Sequence, residues 1–432
     1  MRSASVVLSL MIVWAGSGAG QTPSNQEIDA IYPAIDALYI DLHQNPELGF
    51  QEVETAAKLA ARVRALGYEV TTGVARTGIV AVMKNGPGPT VMLRTELDAL
   101  PIEEKTGLPF ASRVVVRNAS GQLTPVMHAC GHDIHMAAWT GTATLMATHK
   151  DRWHGTLVLV GQPAEEGGGG AAAMLKDGLF TRFPRPDFAL SLHDDDSMPA
   201  GTIGYHAGPF RAMSDPVTIV VYGRGGHAAM PMNTVDPVVL ASRIVVALQT
   251  IVSRENNPVD PVVITVGSIH GGTQGNIVPD EVRLQLSVRT YTLEVRRKTL
   301  DAIRRIARGE AISAGAPREP EVTAPAEPGY PVVYNDPALT ARLAKALKAG
   351  LGEKAVIEMP AKMTSEDFSE YWSIGNVPSA LLHIGAAKFA EIQRTGIPGP
   401  APHSPEWAPV REPTLKGAMR TEVTELMELL GK

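Results

Sequence analysis

Apolar residues recur every three or four positions in several stretches of the chain, the spacing that places them on one face of a helix. In the first stretch they stand at Ile28, Ile31, Ile35 and Leu38. The second stretch ends before Gly67, a residue that commonly terminates helices. Together these stretches predict five helices: Asn25–Gln44, Glu52–Leu66, Asp133–Thr148, Asp236–Arg254 and Leu293–Ala314.

Short apolar runs lie between helical stretches and predict strands. Three of them read "TVMLRTEL", "TLVLVGQP" and "DFALSLH", and the last is expected to end at His193. Strands that alternate with helices are typical of an α/β sheet whose strands are mostly parallel and whose faces are covered by helices. The sequence therefore predicts an α/β fold.

The middle of the chain has a different pattern. The run "DPVTIVVYG" alternates apolar and polar residues, and "PVVITVGSIHGG" and "EVRLQLSVRTY" read as two further strands. With the two helices of this region and a final strand near Glu321, the order is β-α-β-β-α-β. That order is the split βαβ pattern of ferredoxin-like domains. An α+β domain is therefore expected here.

A chain of 432 residues exceeds the size at which one core usually stops growing, so two domains are expected. The Pro-rich stretch "APREPEVTAPAEPGYP" would return the chain from the α+β domain to the first one. Two consecutive domains are the alternative, and insertion is favoured because His403, a candidate site residue, follows the α+β region. The predicted boundaries are a signal peptide at 1–20, a catalytic domain at 21–212 and 326–432, and an inserted lid or dimerisation domain at 213–325.

The N-terminus reads "MRSASVVLSLMIVWAGSGAGQTPS" and resembles a secretory signal. Arg2 supplies a positive start, and the apolar run Val6–Ala15 is too short to span a bilayer comfortably. Cleavage is expected near Ala19 or Gly20, with an uncleaved anchor helix as the alternative. No later segment is expected to be long and apolar enough to span a membrane, so we predict a periplasmic or secreted protein with no membrane partner.

Charge and cysteine content narrow the function classes. The chain has 39 Lys and Arg against 45 Asp and Glu, a formal net charge of −6, and this balance argues against nucleic acid as the main partner. The chain has one cysteine, Cys130, so no internal disulfide can form. That cysteine must have another role or be a buried bystander.

Cys130 lies in "PVMHACGHDIHMAAWTG", among three histidines: His128, His132 and His135. Thiolate and imidazole groups bind the same metals. The predicted helix begins just after Cys130, and a helix N-terminus favours the thiolate form. A Cys-x-His pair is a weak metal signal by itself. A buried, inert cysteine is the alternative.

Further candidate ligands follow predicted strands or lie in loops. Glu165 and Glu166, in "GQPAEEGGGG", come just after a strand, where open α/β sheets bind ligands. Adjacent carboxylates point in different directions, so one can bind metal while the other moves protons. His193 closes another strand, and His403 stands in the Pro-bounded loop "APHSPEW". Each residue alone can be structural, but together they supply about what two adjacent metals need.

Seven motifs occur in a family-specific order: "LRTELDALPIEE", "HACGHDIHMAA", "QPAEEGGGGA", "GRGGHAAMP", "GGTQGNIVPD", "MTSEDF" and "HSPEW". In this order the chain resembles the amidohydrolase branch of the aminoacylase/carboxypeptidase-like metallopeptidase family, which includes hippurate hydrolases and auxin–amino acid conjugate hydrolases. The resemblance covers nearly the whole mature chain. It implies a two-metal hydrolase of N-acyl amino acids with an inserted lid or dimerisation domain, and a homodimer through that domain.

The resemblance also implies roles for individual residues. It implies two divalent ions per subunit, zinc first, with manganese, cobalt or nickel as alternatives. The implied ligands are Cys130, His132, Glu166, His193 and His403, with the Cys130 thiolate as a bridge. Glu165 would be the catalytic base, and Asp98 the acidic residue that orients a ligand. The residues implied to hold the substrate from the lid are His227, Asn276 and Arg289.

Two departures and two rival functions accompany the resemblance. The family commonly has Asp where this chain has Glu96, and the run Asp194–Asp196 is more acidic than usual, which could alter the pocket entrance. His128 and His135 are expected to be supporting or structural residues. One rival is a dipeptidase or carboxypeptidase on the same site, for which the acidic run is the one hint of an ammonium partner. The other is a non-catalytic exported metal- or solute-binding protein.

Overall fold

The computed structural model describes residues 22–118, 121–396 and 399–431. The predicted signal peptide at 1–20 lies outside the described residues, so the signal and its cleavage site stay predictions.

All five predicted helices are present, with ends within a few residues of the expected ones. The fourth continues through a π-helical turn at Ile251–Glu255. The helices are α1 (Asn25–Gln44), α2 (Val53–Ala65), α3 (His132–Thr148), α4 (Glu165–Gly168), α5 (Gly170–Lys176), α6 (Leu179–Arg182), α7 (Pro237–Thr250), α8 (Leu293–Ser313), α9 (Pro337–Leu351), α10 (Ser369–Ser373), α11 (Phe389–Thr395) and α12 (Arg411–Leu430). Three single 3₁₀ turns are Lys150–Arg152, Pro231–Asn233 and Glu353–Ala355.

Side-chain caps explain where two of the predicted helices begin. At the start of α1, the Ser24 hydroxyl accepts a hydrogen bond from Glu27 N, and the Glu27 carboxylate accepts one from Ser24 N. This reciprocal pair is a capping box. At the start of α7, Asp236 accepts from Val238 N, and Pro237 occupies the first helical position. Both boundaries are therefore encoded by residues next to one another in the sequence.

The strands form two main sheets and three short pairs. They are β1 (Glu69–Val74), β2 (Gly78–Asn85), β3 (Thr90–Glu96), β4 (Val115–Arg117), β5 (Leu123–Pro125), β6 (Gly155–Gln162), β7 (Phe188–Pro199), β8 (Ile203–Tyr205), β9 (Gly208–Arg211), β10 (Met213–Tyr222), β11 (Gly226–His227), β12 (Val263–His270), β13 (Ile277–Val278), β14 (Glu281–Thr290), β15 (Glu321–Thr323), β16 (Val333–Asn335), β17 (Val356–Glu358) and β18 (Ser379–Ala387). The short pairs are β4–β5, β9–β16 and β11–β13.

The larger sheet has eight strands in the order β1-β2-β6-β3-β7-β18-β8-β17. Its four central strands, β6, β3, β7 and β18, run parallel to one another, and antiparallel pairs occur toward the edges. Helices α1, α3 and α12 pack together on one face, and α5 and α10 lie on the other. The predicted α/β fold with a mostly parallel sheet is confirmed.

The second sheet is antiparallel, in the order β12-β14-β10-β15, and shares one apolar core with α7 and α8. Its elements follow along the chain as β-α-β-β-α-β, and its strand order is that of a ferredoxin-like unit. The predicted α+β unit is confirmed. The boundaries at 213 and 325 stay predictions, although β10 begins at Met213 and β15 ends at Thr323.

One strand is longer than expected. Strand β7 continues past His193 to Pro199 and carries the acidic run within it. Its backbone pairs with β18 from Ala189 to Asp195, so the neighbouring strand keeps the acidic residues extended. The expected end at His193 was wrong because polarity was taken as the signal for a loop.

Within the described residues, one helical stretch, Pro237–Glu255, is long and apolar enough to cross a bilayer by length and composition. The expectation that no later segment meets this criterion was therefore wrong. Part of the apolar surface is used inside the second core, through Leu240, Ile244 and Leu248. Another part, including Val239 and Val246, is exposed.

Candidate active site

The candidate residues meet at the carboxyl edge of the larger sheet. Because β3, β6 and β7 are parallel, their carboxyl ends lie along the same edge. Asp98 follows β3, Glu165 follows β6, and His193 lies at the middle of β7. Helix α3 begins at His132, directly after the loop that carries Cys130. Residues far apart in the sequence are thus brought together.

Among the described residues, several groups of side chains have their potential ligand atoms within 4.8 Å of one another, and three overlapping groups together contain all the predicted ligands. The first is Cys130, His132 and His193, the second is Cys130, Glu166 and His403, and the third is His132, Glu165 and Glu166. All five predicted ligands and the predicted base belong to these groups. His403 is the most exposed member, and its Nε2 lies 3.0 Å from Glu166 Oε1.

Hydrogen bonds orient two of the histidines toward this cluster. His132 Nδ1 lies 2.8 Å from the Asp98 carbonyl oxygen, and His193 Nδ1 lies 2.8 Å from the Asp194 carbonyl oxygen. A carbonyl oxygen only accepts, so both Nδ1 atoms donate and both Nε2 atoms face the cluster, as in metal-binding histidines. His193 Nε2 is 3.6 Å from Cys130 Sγ. The buried His132 Nε2 has no hydrogen-bond partner among the described residues.

The negative charges around the Cys130 thiol favour the binding of a cation. Burial raises the pKa of the Cys130 thiol well above its usual range, and the nearby carboxylates of Glu166 and Asp194 raise it further. The expected effect of the helix N-terminus, which favours the thiolate, is thus outweighed by burial and by the surrounding negative charge. A divalent cation would supply the missing positive charge.

The pKa of His132 also indicates a site that favours a cation. Burial opposes its protonation, but Asp98, Glu96 and Glu166 together raise its pKa to about 10. A proton therefore occupies the imidazole where a cation could bind instead, and binding would release it. A thiolate, imidazoles and carboxylates are the donors of zinc-like ions. The residues present fit divalent metal ions.

The turn that carries Glu165 and Glu166 is held in an unusual conformation. Ala164 has a φ of +47°, in the left-handed region that L residues rarely adopt. Its N–H donates to the buried carboxylate of Glu52 at 2.8 Å. The Glu166 N–H donates to Asp98 Oδ2 at 2.9 Å. These contacts hold the turn from which both carboxylates reach the cluster.

Glu165 is buried among other carboxylates. Burial raises its pKa well above the usual range, and the charges of Glu366 and Glu166 raise it further. The side chain therefore holds a proton more tightly than an exposed glutamate does. Such a group is suited to general acid–base chemistry, although its role stays a prediction.

Asp98 contacts the segments of two predicted ligands. Its carbonyl oxygen accepts from His132, and its carboxylate accepts from the Glu166 backbone. Asp98 is therefore placed where it could orient both segments, and its role stays a prediction. Asp98 Oδ1 lies 3.6 Å from His132 Nδ1, a further favourable charge contact.

Glu96 and His135 lie behind the cluster. Glu96 pairs with the buried Arg94 guanidinium, and Glu96 Oε2 lies 3.0 Å from His135 Nδ1. His135 Nε2 accepts from Asp194 N at 2.9 Å. Both residues thus support the backbone near His193. His128 is buried, and its ring nitrogens have no hydrogen-bond partner among the described residues.

Two residues of the acidic run, Asp194 and Asp195, are paired with neighbouring side chains. Asp195 Oδ2 lies 2.5 Å from Lys362 Nζ and 2.6 Å from His383 Nδ1. Asp194 Oδ1 lies 3.3 Å from His135 Nε2 and 3.1 Å from His193 Nδ1. Both aspartates are buried. Asp196 is only partly buried, so the idea that the acidic run alters the pocket entrance stays a prediction.

The three predicted lid residues lie in the second sheet and in the β11–β13 pair. His227 is exposed and pairs with Ile277, and the Asn276 carbonyl accepts from Ala228 N. His227 and Asn276 are thus neighbours, but their described contacts are local to this pair. Arg289, on β14, donates to Ser365 Oγ at 2.8 Å, which brings it beside the loop leading to Glu366.

Sequence reasoning missed a buried charged network beside the cluster. Arg94 Nη2 donates to Glu366 at 2.8 Å and to Asp367 at 2.9 Å. Arg211 Nη2 donates to His383 Nε2 at 3.0 Å and lies near Glu366. The signals were an arginine within the apolar run "TVMLRTEL" and the two acids of "MTSEDF", which carried no assigned role.

Three comparisons place the chain among known proteins. Residues 92–399 match peptidase family M20/M25/M40. N-acetyl-L-cysteine deacetylase of Bacillus subtilis (strain 168) is 37% identical over 345 residues, which is 80% of this chain and 78% of that protein. Thermostable carboxypeptidase 2 of Saccharolobus solfataricus is also 37% identical, over 334 residues, 76% of this chain and 80% of that protein.

A solved structure agrees with these matches. The Bacillus subtilis YXEP protein, described as a dinuclear metal-binding peptidase of the M20 family, superposes with a TM-score of 0.75 at 29% identity, covering 93% of this chain and 99% of that one. The family resemblance carried by the sequence motifs is thereby confirmed, and so is its coarse consequence, a hydrolase. The chain belongs to peptidase family M20/M25/M40.

Proposed function

We propose that this protein is a metal-dependent amidohydrolase that cleaves N-acyl amino acids to a carboxylic acid and an amino acid. The observation that carries the proposal is the placement of Glu165 against a cluster of cysteine, histidine and glutamate ligand atoms. A base beside a ligand cluster is the arrangement that metal-assisted hydrolysis of an amide needs. The names of several relatives, including the deacetylase, support the same reaction class.

Hydrolysis of the amide bond would use the bound ions and specific groups of the chain. Bound divalent ions would polarise the amide carbonyl and activate a water molecule. Glu165 accepts the proton of that water and passes it to the leaving amine. Asp98 holds His132 and the Glu166 backbone in place.

The donor set supports two divalent ions per subunit. Cys130 takes part in two of the overlapping groups, and this position supports a bridging thiolate. Zinc is proposed first because thiolate and imidazole ligands favour it, with manganese, cobalt or nickel as alternatives. Export to the periplasm or outside the cell is a further proposal, which rests on the N-terminal sequence alone.

A homodimer through the inserted domain is also proposed. Strand β12 is an edge of the second sheet, and helix α7 exposes Val239 and Val246. An unpaired strand edge beside exposed valines is suited to pairing with a second copy of the chain. Such a dimer, or hinged closure of the domains, would bring His227 to the substrate, where it could donate to the developing oxyanion. Asn276 and Arg289 would then hold the carboxylate of the substrate.

A dipeptidase or carboxypeptidase on the same site is the second candidate. It is favoured by the name of the Saccharolobus relative. A dipeptide's free ammonium would need an anionic partner, and Asp195 of the acidic run that suggested one is already paired with Lys362 and His383. The non-catalytic alternative is an exported metal- or solute-binding protein, and it predicts that no turnover depends on Glu165.

A substrate panel assayed with and without chelator tests the proposal. We expect cleavage of N-acyl amino acids, loss of cleavage after chelation, and recovery on adding zinc or manganese. Free dipeptides are expected to be cleaved much more slowly. Preference for dipeptides would establish the second candidate, and metal binding without any cleavage would support the non-catalytic one.

The lid makes a separate prediction. His227→Ala is expected to lower turnover strongly while metal content stays unchanged, because His227 is exposed and lies outside the ligand groups. Turnover and bound metal are measured on the same preparation. If His227 acts across subunits, mixing this variant with Glu165→Gln should restore some activity through hybrid dimers. Normal turnover in His227→Ala would remove the lid from the mechanism.

A further inference from the structure

The segment that returns the chain from the inserted domain passes directly over the Glu165–Glu166 turn. Tyr330 lies in this segment, and its hydroxyl donates to the Glu165 carbonyl oxygen at 3.1 Å. The side chain is half-buried. Burial raises the pKa of Tyr330 above its usual range, and the nearby Asp367 and Glu165 carboxylates add to this rise. The hydroxyl thus stays protonated and can donate.

The backbone of Tyr330 is held by the first strand of the inserted domain. Tyr330 N donates to Ser214 O and Ser214 N donates to Tyr330 O, both at 3.1 Å. The two crossing segments approach closely, since a Cβ on Gly329 would lie 2.8 Å from Ser214 O. One residue therefore touches strand β10 through its backbone and the turn of the predicted base through its side chain.

The opposite side of the same turn is anchored to the catalytic part of the chain. The Ala164 N–H is held by Glu52, and the Glu166 N–H is held by Asp98. The Glu165 carbonyl between them receives its described side-chain bond from Tyr330. A peptide plane cannot rotate without moving the flanking side chains, so this bond bears on where the Glu165 carboxylate points.

We propose that Tyr330 is a positioning residue that ties the orientation of Glu165 to the start of the inserted domain. The inference rests on the proposed function, because it assigns Glu165 as the base. The segment that carries Tyr330 would then transmit movement as well as connect the two parts of the chain. A shift of strand β10 relative to the larger sheet would change the turn that holds the base. Arg289, which reaches Ser365 from β14, provides a second contact between the same two parts.

The test compares Tyr330→Phe with Tyr334→Phe, the matched control. Tyr334 lies four residues further along the same returning segment, and its ring stacks on Trp372 with centroids 4.8 Å apart. Loss of one hydrogen bond is expected to lower kcat roughly five- to tenfold in Tyr330→Phe. KM, metal content and thermal stability should stay near wild type, and Tyr334→Phe should leave kcat unchanged.

Combining Tyr330→Phe with Glu165→Gln decides how the hydroxyl acts. If the Tyr330 hydroxyl acts through Glu165, adding Tyr330→Phe to Glu165→Gln should cause no further loss of kcat, because the base is already absent. An equal loss in both backgrounds would overturn the proposal, and so would an unchanged kcat in the single variant.

Hydrogen exchange gives a readout that needs no activity. Peptides covering residues 161–174 should exchange faster in Tyr330→Phe than in wild type or Tyr334→Phe. Unchanged exchange there would overturn the positioning role. If the wild-type protein cleaves nothing in the substrate panel, the proposed function fails, while the exchange experiment still decides whether Tyr330 holds the turn.

Discussion

Replacing Glu165 with glutamine is expected to lower turnover by roughly 10²–10⁴-fold while bound metal hardly changes. Glutamine keeps the shape of the side chain but cannot accept the proton of the attacking water. The structure makes the separation of roles testable, since Glu165 and Glu166 are adjacent and only one of them lies 3.0 Å from His403 Nε2. Turnover is measured on an N-acyl amino acid, and metal content by elemental analysis.

Glu166→Gln is the matched variant for this experiment. It alters the neighbouring carboxylate by the same chemical change, and it should lose metal because Glu166 belongs to the group with Cys130 and His403. Metal loss in Glu165→Gln, with normal metal in Glu166→Gln, would reverse the two roles. Full turnover in Glu165→Gln would show that the base is another group.

Replacing Cys130 with serine should remove most of the bound metal and most of the activity. The Cys130 thiol is buried, and its sulfur belongs to two of the overlapping ligand groups. A serine hydroxyl is a much poorer ligand for zinc-like ions than a thiolate. The protein should remain folded, because the substitution alters one atom and leaves the backbone of the loop before α3 unchanged.

Metal analysis and thermal melting with added zinc check this expectation. Metal binding to the native state raises its apparent stability, so wild type should be stabilised by zinc and Cys130→Ser should respond less. Met136→Leu is a suitable control, since it removes a different buried sulfur from α3 at nearly constant volume. Full metal content and turnover in Cys130→Ser would contradict the assignment of Cys130 as a ligand.

Local signals in the sequence predicted the first three long helices and the elements of the inserted unit, but not strand β18 or helix α12. Helix α1 has the predicted ends because Ser24 and Glu27 form its cap and the apolar spacing fills one face. The β-α-β-β-α-β order was likewise readable, because alternation and helical spacing are properties of neighbouring residues. Strand β7 was cut short because its extension past His193 depends on pairing with β18, which is distant in sequence.

The sequence also determined which residue types are available at the candidate site. The order of the motifs pointed to the family, and from it to Cys130, His132, Glu166, His193 and His403 as ligands. All five meet in space, although their roles stay predictions until the variants are measured. The lid residues His227, Asn276 and Arg289 were named from the resemblance alone, and where the substrate would meet them stays a prediction.

Only the tertiary structure decided how the site groups are oriented and charged. The Asp98 and Asp194 carbonyls select Nε2 as the free nitrogen of His132 and His193. Burial and carboxylates from several segments raise the pKa of Cys130, against the expectation from the helix N-terminus, and Lys362 neutralises Asp195. The spacing of hydrophobic residues is defined by positions close together in the sequence, so helices and strands can be predicted from it. Hydrogen bonds and charges act through space, so their partners become known only when the chain has folded.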